Sequence, residues 1–224
     1  MKSVPLVDGD TIFVNGWEIG GDSEQPPEVP SFAEALAQYD KDGDGKISRE
    51  EAPWKRGNNF ADTDLNRDGK IDEREWNFYR ARRTAQNNIV AIRAGGHGDV
   101  TSTHVLWRYR KSIPNVPSPL LYNDVLFLMK EGGVLTSLDP KTGAVYKQAR
   151  LMGALGNYWS SPVAADGKML VASQEGKVTV IKAQAKWEVL ETNELGEDIF
   201  ATPAIADGRI YLRTRGTLYC FGKK

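Results

Sequence analysis

The chain has 224 residues, a formal net charge of −1, 40% hydrophobic and 26% charged residues, and a single cysteine. This is the composition of a globular protein able to bury a core, and it excludes a strongly basic nucleic-acid-binding surface and any intrachain disulfide. No run approaches the roughly 18 apolar residues of a membrane-spanning helix, and the N-terminus lacks the apolar core of a signal peptide.

In chain order, Pro5 opens a short extended segment that runs into an Asp8-Gly9 turn. A β-branched and aromatic run, Thr11 to Val14, follows, which reads as a hairpin. Gln25 to Pro30 is a proline-rich linker. Ser31 then suits a helix N-cap with Glu34 three residues on, forming a capping box. Phe32, Ala35, Leu36 and Tyr39 fall on one helical face.

Two twelve-residue stretches come next, Asp40 to Glu51 and Asp64 to Glu75. Each has oxygen-bearing side chains at positions 1, 3 and 5, Gly at 6, Ile at 8 and Glu at 12. A hard cation takes about six to eight oxygens, and a loop this short supplies them only by coiling round the ion, which the glycines Gly45 and Gly69 permit. Asp40, Asp42, Asp44 and the bidentate Glu51 form one candidate donor set, with the Lys46 carbonyl and Ser48 through water. Asp64, Asn66, Asp68 and Glu75 form the other, with the Lys70 carbonyl and Asp72 through water. Residues 31–83 therefore resemble a tandem EF-hand pair, which implies two Ca²⁺ ions and a short β-bridge between Ile47 and Ile71.

Only Ala52 to Thr63 separates the loops, interrupted by Pro53, Gly57 and two asparagines, so the connecting helix must be short. The four methionines, Met1, Met129, Met152 and Met169, all lie outside the pair. The Met-rich groove that sensor EF-hands expose is thus missing, and a structural or buffering pair is expected. A following helix from Glu73 to about Arg83 turns Trp76 and Tyr79 inward and Arg80, Arg82 and Arg83 to solvent.

The remainder of the chain repeats. Pro119 and Pro162 are 43 residues apart, and Pro203 follows 41 residues later. Each opens a strand A, a turn of Asp-Gly type (Asn123-Asp124, Asp166-Gly167, Asp207-Gly208) and an apolar strand B. Strand C follows (Asn88–Ala94, Val134–Asp139, Lys177–Ala183, Thr217–Gly222), then strand D (His104–Arg110, Ala144–Leu151, Lys186–Leu195). Pro5 begins a fourth copy, with the calcium module inserted between its strands B and C. Four-stranded units of this length build β-propeller blades. The expected fold is mainly β, a partial propeller of about four blades (residues 1–26 and 87–224), with a small α-helical EF-hand insertion (27–86).

The run Ser137 to Gln148, together with Val105 to Arg110, resembles the repeats of PQQ-like propellers, found in quinoprotein alcohol dehydrogenases and an outer-membrane assembly lipoprotein. Asp139 and Gly143 match the family's blade-docking motif, whereas Ser137 and Tyr146 depart from it. The resemblance implies a periplasmic or extracellular bacterial protein. It also implies a ring of seven or eight blades, so further N-terminal blades are expected, with the outer edge of the last blade here unpaired.

In a propeller the B–C turns and D-to-A links share one face. Asn115, Tyr158, Trp159, Glu197, Asp198 and Phe200 fall on those links and are the candidate ligand face; alternatively the aromatics pack between blades. His97 and His104 have no ligand cluster nearby in sequence. Two functions are open: a non-enzymatic scaffold for an unknown protein, peptide or glycan, or a PQQ-dependent dehydrogenase. The second lacks the vicinal cysteine pair of quinoprotein alcohol dehydrogenases, since Cys220 is single, so PQQ is not expected, and no catalytic residue is assigned.

Overall fold

The computed structural model describes residues 3–22, 25–54 and 59–222. Met1, Gly57 and Asn58, which entered the sequence reading, lie outside them, as does Lys224. In chain order the elements are β1 (Leu6–Asp8), β2 (Thr11–Gly16), α1 (Phe32–Tyr39), β3 (Ile47–Ser48), α2 (Asn59–Thr63), β4 (Lys70–Ile71), α3 (Glu73–Thr84), β5 (Asn88–Arg93), α4 (Thr101–His104) and β6 (Val105–Tyr109). They continue with β7 (Leu120–Tyr122), β8 (Val125–Lys130), β9 (Val134–Leu138), β10 (Val145–Arg150), β11 (Val163–Ala165), β12 (Lys168–Ala172), β13 (Lys177–Lys182), β14 (Glu188–Glu194), β15 (Ala204–Ala206), β16 (Arg209–Arg213) and β17 (Leu218–Gly222).

The strands form four successive antiparallel meanders, β1-β2-β5-β6, β7-β8-β9-β10, β11-β12-β13-β14 and the three-stranded β15-β16-β17. This is a partial β-propeller. Among the described residues no strand pairs with the outer side of β17. Chain contacts divide the protein into two compact units, Met1–Trp17 with Asn87–Lys224, and Glu18–Gln86.

Local chemistry sets the hairpins. Asn123-Asp124, Asp166-Gly167 and Asp207-Gly208 all take positive φ, the conformation that a two-residue turn matched to strand twist requires and that Asn, Asp and Gly tolerate. The first hairpin differs from the sequence expectation. Asp8 pairs with Thr11, so the turn is Gly9-Asp10, one residue later. Gly9 carries the positive φ at +58°; it is the first turn position that must be left-handed, and Asp8 is free to close the ladder. Every C–D pairing also carries a register shift, at Ala91/Ile92, Val145/Lys147 and Val180/Ile181, and such bulges add twist to the outer strand.

Alternation along β8 shows how a blade buries both faces. Leu126 and Leu128 pack with Phe13, Ile89, Ala91 and Ile113 of the first blade. Phe127 and Met129 pack the other way, with Met169, Val171, Ile181 and Trp187 of the third. Leu170, Ala172 and Ile199 then meet Leu212 of the fourth blade.

A hydroxyl relay joins the starts of the A strands. The Val4 amide donates to Ser118 Oγ (2.9 Å), the Ser118 amide to Ser161 Oγ (2.9 Å), and the Ser161 amide to Thr202 Oγ1 (3.0 Å). The Ser/Thr before each repeat proline thus receives the equivalent amide of the preceding blade.

The second unit has its own core of Ala35, Ile47, Ala52, Phe60, Ile71 and Trp76. Trp54 stacks on Trp76 at 5.8 Å and donates from Nε1 to Tyr79 Oη at 3.1 Å. Both long helices start in capping boxes, Ser31 with Glu34 and Asp72 with Glu75. Arg80, Arg82 and Arg83 are exposed, as expected, and two of them also bind neighbouring segments. Arg82 makes a two-pronged contact with Glu18, and Arg80 Nε donates to the Val29 carbonyl.

Candidate metal centre

The two loops after α1 and α2 are folded as cups by their own carboxylates. In the first, Asp40 accepts from the amides of Gly43 (2.8 Å) and Gly45 (3.0 Å), Asp42 from Asp44 (3.1 Å), and Asp44 from Lys46 (2.9 Å). Oxygens of Asp40, Asp42 and Asp44 lie within 4.8 Å of one another. Glu51 closes the loop. Its Oε1 accepts from the Lys41 and Asp42 amides, and its Oε2 from the amide and hydroxyl of Ser48 (2.9 and 2.7 Å). Those donors favour the carboxylate, and hold the Glu51 pKa down to about 2.

The second loop repeats the plan. Asp64 accepts from the Asp68 and Gly69 amides, Asn66 from Asp68 (2.8 Å), and Asp68 from Lys70 (2.9 Å). Glu75, 3% exposed, accepts from Leu65 (2.8 Å) and Asn66 (3.1 Å) on Oε1 and from Asp72 (3.1 Å) on Oε2. In return, Asp72 Oδ1 accepts from the Glu75 amide at 2.9 Å. The sharp turn sits where the glycines are, with φ of +78° at Gly45 and +85° at Gly69. Arg67 also takes φ +61°, where the first loop has Gly43.

The Ile47↔Ile71 and Ser48↔Lys70 pairs join the loops back to back. The donors are oxygens alone, hard ligands in the order an EF-hand uses, and they suit Ca²⁺. What the sequence reading missed is the role of the position-7 side chains. Lys46 Nζ reaches Asp68 Oδ2 of the other loop at 3.2 Å, and Lys70 Nζ reaches Asp44 Oδ2. These contacts lower the Asp44 pKa and raise that of Lys70. Asp68 is lowered too, first by the Lys70 amide and then by Lys46. The signal was a basic residue at position 7 of both loops.

In the propeller unit the B–C turns and D-to-A links do meet on one face. The Gly132 amide donates to the Gly156 carbonyl, Gln174 to Asn157, Ile199 to Gln174, and Arg215 to Asp198. Of the candidate face residues, Tyr158 is 3% exposed, packed in the core between the second and third blades, with its hydroxyl donating to the Ala154 carbonyl at 2.6 Å. Burial pushes its pKa up. Trp159 and Phe200 remain outside, 39% and 52% exposed; each lies two residues before the relay Ser or Thr. Trp159 Nε1 donates to Gln174 Oε1 at 2.7 Å. Glu197 clamps the next B–C turn, accepting from Thr214 Oγ1 (2.7 Å) and the Gly216 amide (2.8 Å). Asp198 and Asn115 are half-buried on their links. His104 Nδ1 lies 2.7 Å from Thr103 Oγ1.

The blade-docking motif is made by a residue outside it. Trp107 of the first blade lies against Gly143 of the second, where a Cβ would fall 2.7 Å from the ring, and donates from Nε1 to the Pro140 carbonyl at 3.0 Å.

The EF-hand family model matches residues 32–51 and 60–78. No curated protein matches the chain. Among solved structures, it is similar to BamB from Moraxella catarrhalis, with 20% identity and a TM-score of 0.48 over 60% of this chain and 39% of that one. It is also similar to a europium-containing methanol dehydrogenase, with 16% identity and a TM-score of 0.36 over 48% and 21%. A third similarity is to the computationally designed Ika4 protein, with 12% identity and a TM-score of 0.45 over 62% and 86%. The chain spans well under half the length of the first two. Among the described residues no helix is long and apolar enough to cross a membrane.

Proposed function

We propose that this chain is a calcium-binding β-propeller protein that works as a non-enzymatic scaffold. Its EF-hand insert takes two Ca²⁺ ions, and a protein, peptide or glycan binds the propeller face where the B–C turns and D-to-A links meet. The insert leaves the propeller at Gly16 and returns at Asn88, paired residues of β2 and β5; it is itself the B–C connection of the first blade. The PQQ-like pattern of the repeats favours a bacterial periplasmic or extracellular setting.

The observation that carries this reading is the pair of loops with oxygen donors at the EF-hand positions, joined by the Ile47↔Ile71 bridge, the first of which brings oxygens of Asp40, Asp42 and Asp44 within 4.8 Å of one another. The helices of the insert close on Trp76, 1% exposed, and no methionine lies within the pair; both support a structural pair in which calcium orders the loops without opening a groove. Four carboxylates per loop, counting Asp72 at position 9 in the second, correspond to a dissociation constant of about 1 µM or tighter.

Calorimetric titration of the full chain should give two ions, and Glu51→Gln combined with Glu75→Gln should abolish binding. Calcium should raise thermal stability with little gain in binding of a hydrophobic dye. A stoichiometry below two rejects the metal reading. PQQ absorbance that survives gel filtration, or alcohol-dependent dye reduction, rejects the non-enzymatic one.

A further inference from the structure

We propose that Lys46 and Lys70 set the calcium threshold of the opposite loop. Each lysine belongs to both sites. Its carbonyl is the position-7 donor of its own loop, and its ammonium crosses the bridge to the position-5 carboxylate of the other. Asp44 is held at Oδ1 by the Lys46 amide (2.9 Å) and at Oδ2 by Lys70 Nζ. Asp68 is held at Oδ1 by the Lys70 amide (2.9 Å) and at Oδ2 by Lys46 Nζ (3.2 Å) and, at longer range, by Asn66 Nδ2 (3.4 Å). Both oxygens of each position-5 carboxylate are therefore occupied.

A neutral amide can stay on a carboxylate oxygen that also ligates, since each oxygen has two lone pairs, whereas an ammonium on the same carboxylate repels an arriving dication. The amide is fixed by the loop fold, whereas the ammonium ends a flexible side chain about 40% exposed. The ammonium is what leaves. Until it does, it also offsets the negative field that draws a dication into the cup. Calcium entering one loop thus releases a lysine whose carbonyl serves the other, which couples the two sites through a side chain as well as through the β-bridge. The inference rests on the calcium reading above, but it makes a distinct claim: a substitution in one loop acts on its partner.

The test uses the full chain and calcium titration by calorimetry. With loop two disabled by Glu75→Gln, Lys70→Gln should tighten binding at loop one by about 1.4- to five-fold, the range measured for an exposed ion pair. Lys46→Gln should do less there. With loop one disabled by Glu51→Gln, the order reverses. The gain should shrink in high potassium chloride, and Lys70→Arg, which keeps the charge, should restore the original threshold. In case a disabled loop compromises folding, the same lysine variants are compared in the otherwise unaltered chain through its two binding constants. Weaker binding, no change, or an equal effect of both lysines on one loop overturns the inference while leaving calcium binding intact. A chain that binds no calcium overturns both.

Discussion

Glu75 should hold the second loop together before any ion arrives, and Glu75→Gln isolates that duty. The carboxylate is 3% exposed and receives three amides, from Leu65 and Asn66 on one oxygen and Asp72 on the other. Glutamine retains one acceptor oxygen and presents an NH₂ in place of the second. If its oxygen stays with Leu65 and Asn66, the Asp72 amide loses its acceptor and half of the capping box at the start of α3 is gone. A buried donor left unpaired costs about 1–3 kcal/mol, and a lost cap about 1 kcal/mol. The two overlap, because the same amide is counted in both, so the expected loss is about 2 kcal/mol. Amide exchange of the full chain in a calcium chelator should then run about 30-fold faster at Leu65, Asn66 and Asp72. Glu51→Gln should disturb its loop less, since water reaches the Lys41, Asp42 and Ser48 donors it would strand. Exchange in Glu75→Gln no faster than in the parent, or equal effects at the two glutamates, would refute the reasoning.

Phe127→Ala should destabilise the propeller unit by about 3–5 kcal/mol, because the side chain is fully buried between the second and third blades; denaturant unfolding measures it. Gly143→Ala should cost about 1–3 kcal/mol through overpacking, as its Cβ would fall 2.7 Å from the Trp107 ring; a shift in Trp fluorescence should accompany the loss. Glu197 has its pKa lowered from 4.5, first by Thr214 and then by the Gly216 amide. Since folding depresses this pKa, the clamp contributes fully above pH 4.5 and fades as the pH falls through the depressed value. Glu197→Gln should therefore flatten the acid side of the stability profile, and an unchanged acid limb would show that the clamp is not coupled to folding.

The blades were legible because their signals are local. Proline at the start of strand A, Asn/Asp/Gly turns and β-branched strands all act within a dozen residues, and a repeat shows them several times over. The first turn was misplaced by one residue because Asp8-Gly9 and Gly9-Asp10 both look like turns. Only the pairing of Asp8 with Thr11 decides between them. The loop ligands were legible for the same reason, since spacing alone sets which oxygens converge. What could not be read was tertiary. Tyr158 and Trp159 are adjacent aromatics on one link, yet one is buried and the other exposed, and nothing local separates them. Comparison of the links does. Tyr158 and Ile199 both stand three residues before the relay Ser or Thr and both are buried, while Trp159 and Phe200 one residue later are not.

The place of the insertion has a physical rationale of its own. A long loop closed by β2 and β5 loses chain entropy, though the cost grows by only about 0.6 kcal/mol per doubling of length. Gly16 and Asn88 are cross-strand partners at the end of a six-residue ladder, so the ends of the insert are already fixed side by side. The insert also has what an independent unit needs: an apolar core, two capping boxes, and loop carboxylates satisfied by their own amides. The candidate calcium ligands all lie within residues 40–75, inside a unit that the chain joins to the blades at β2 and β5.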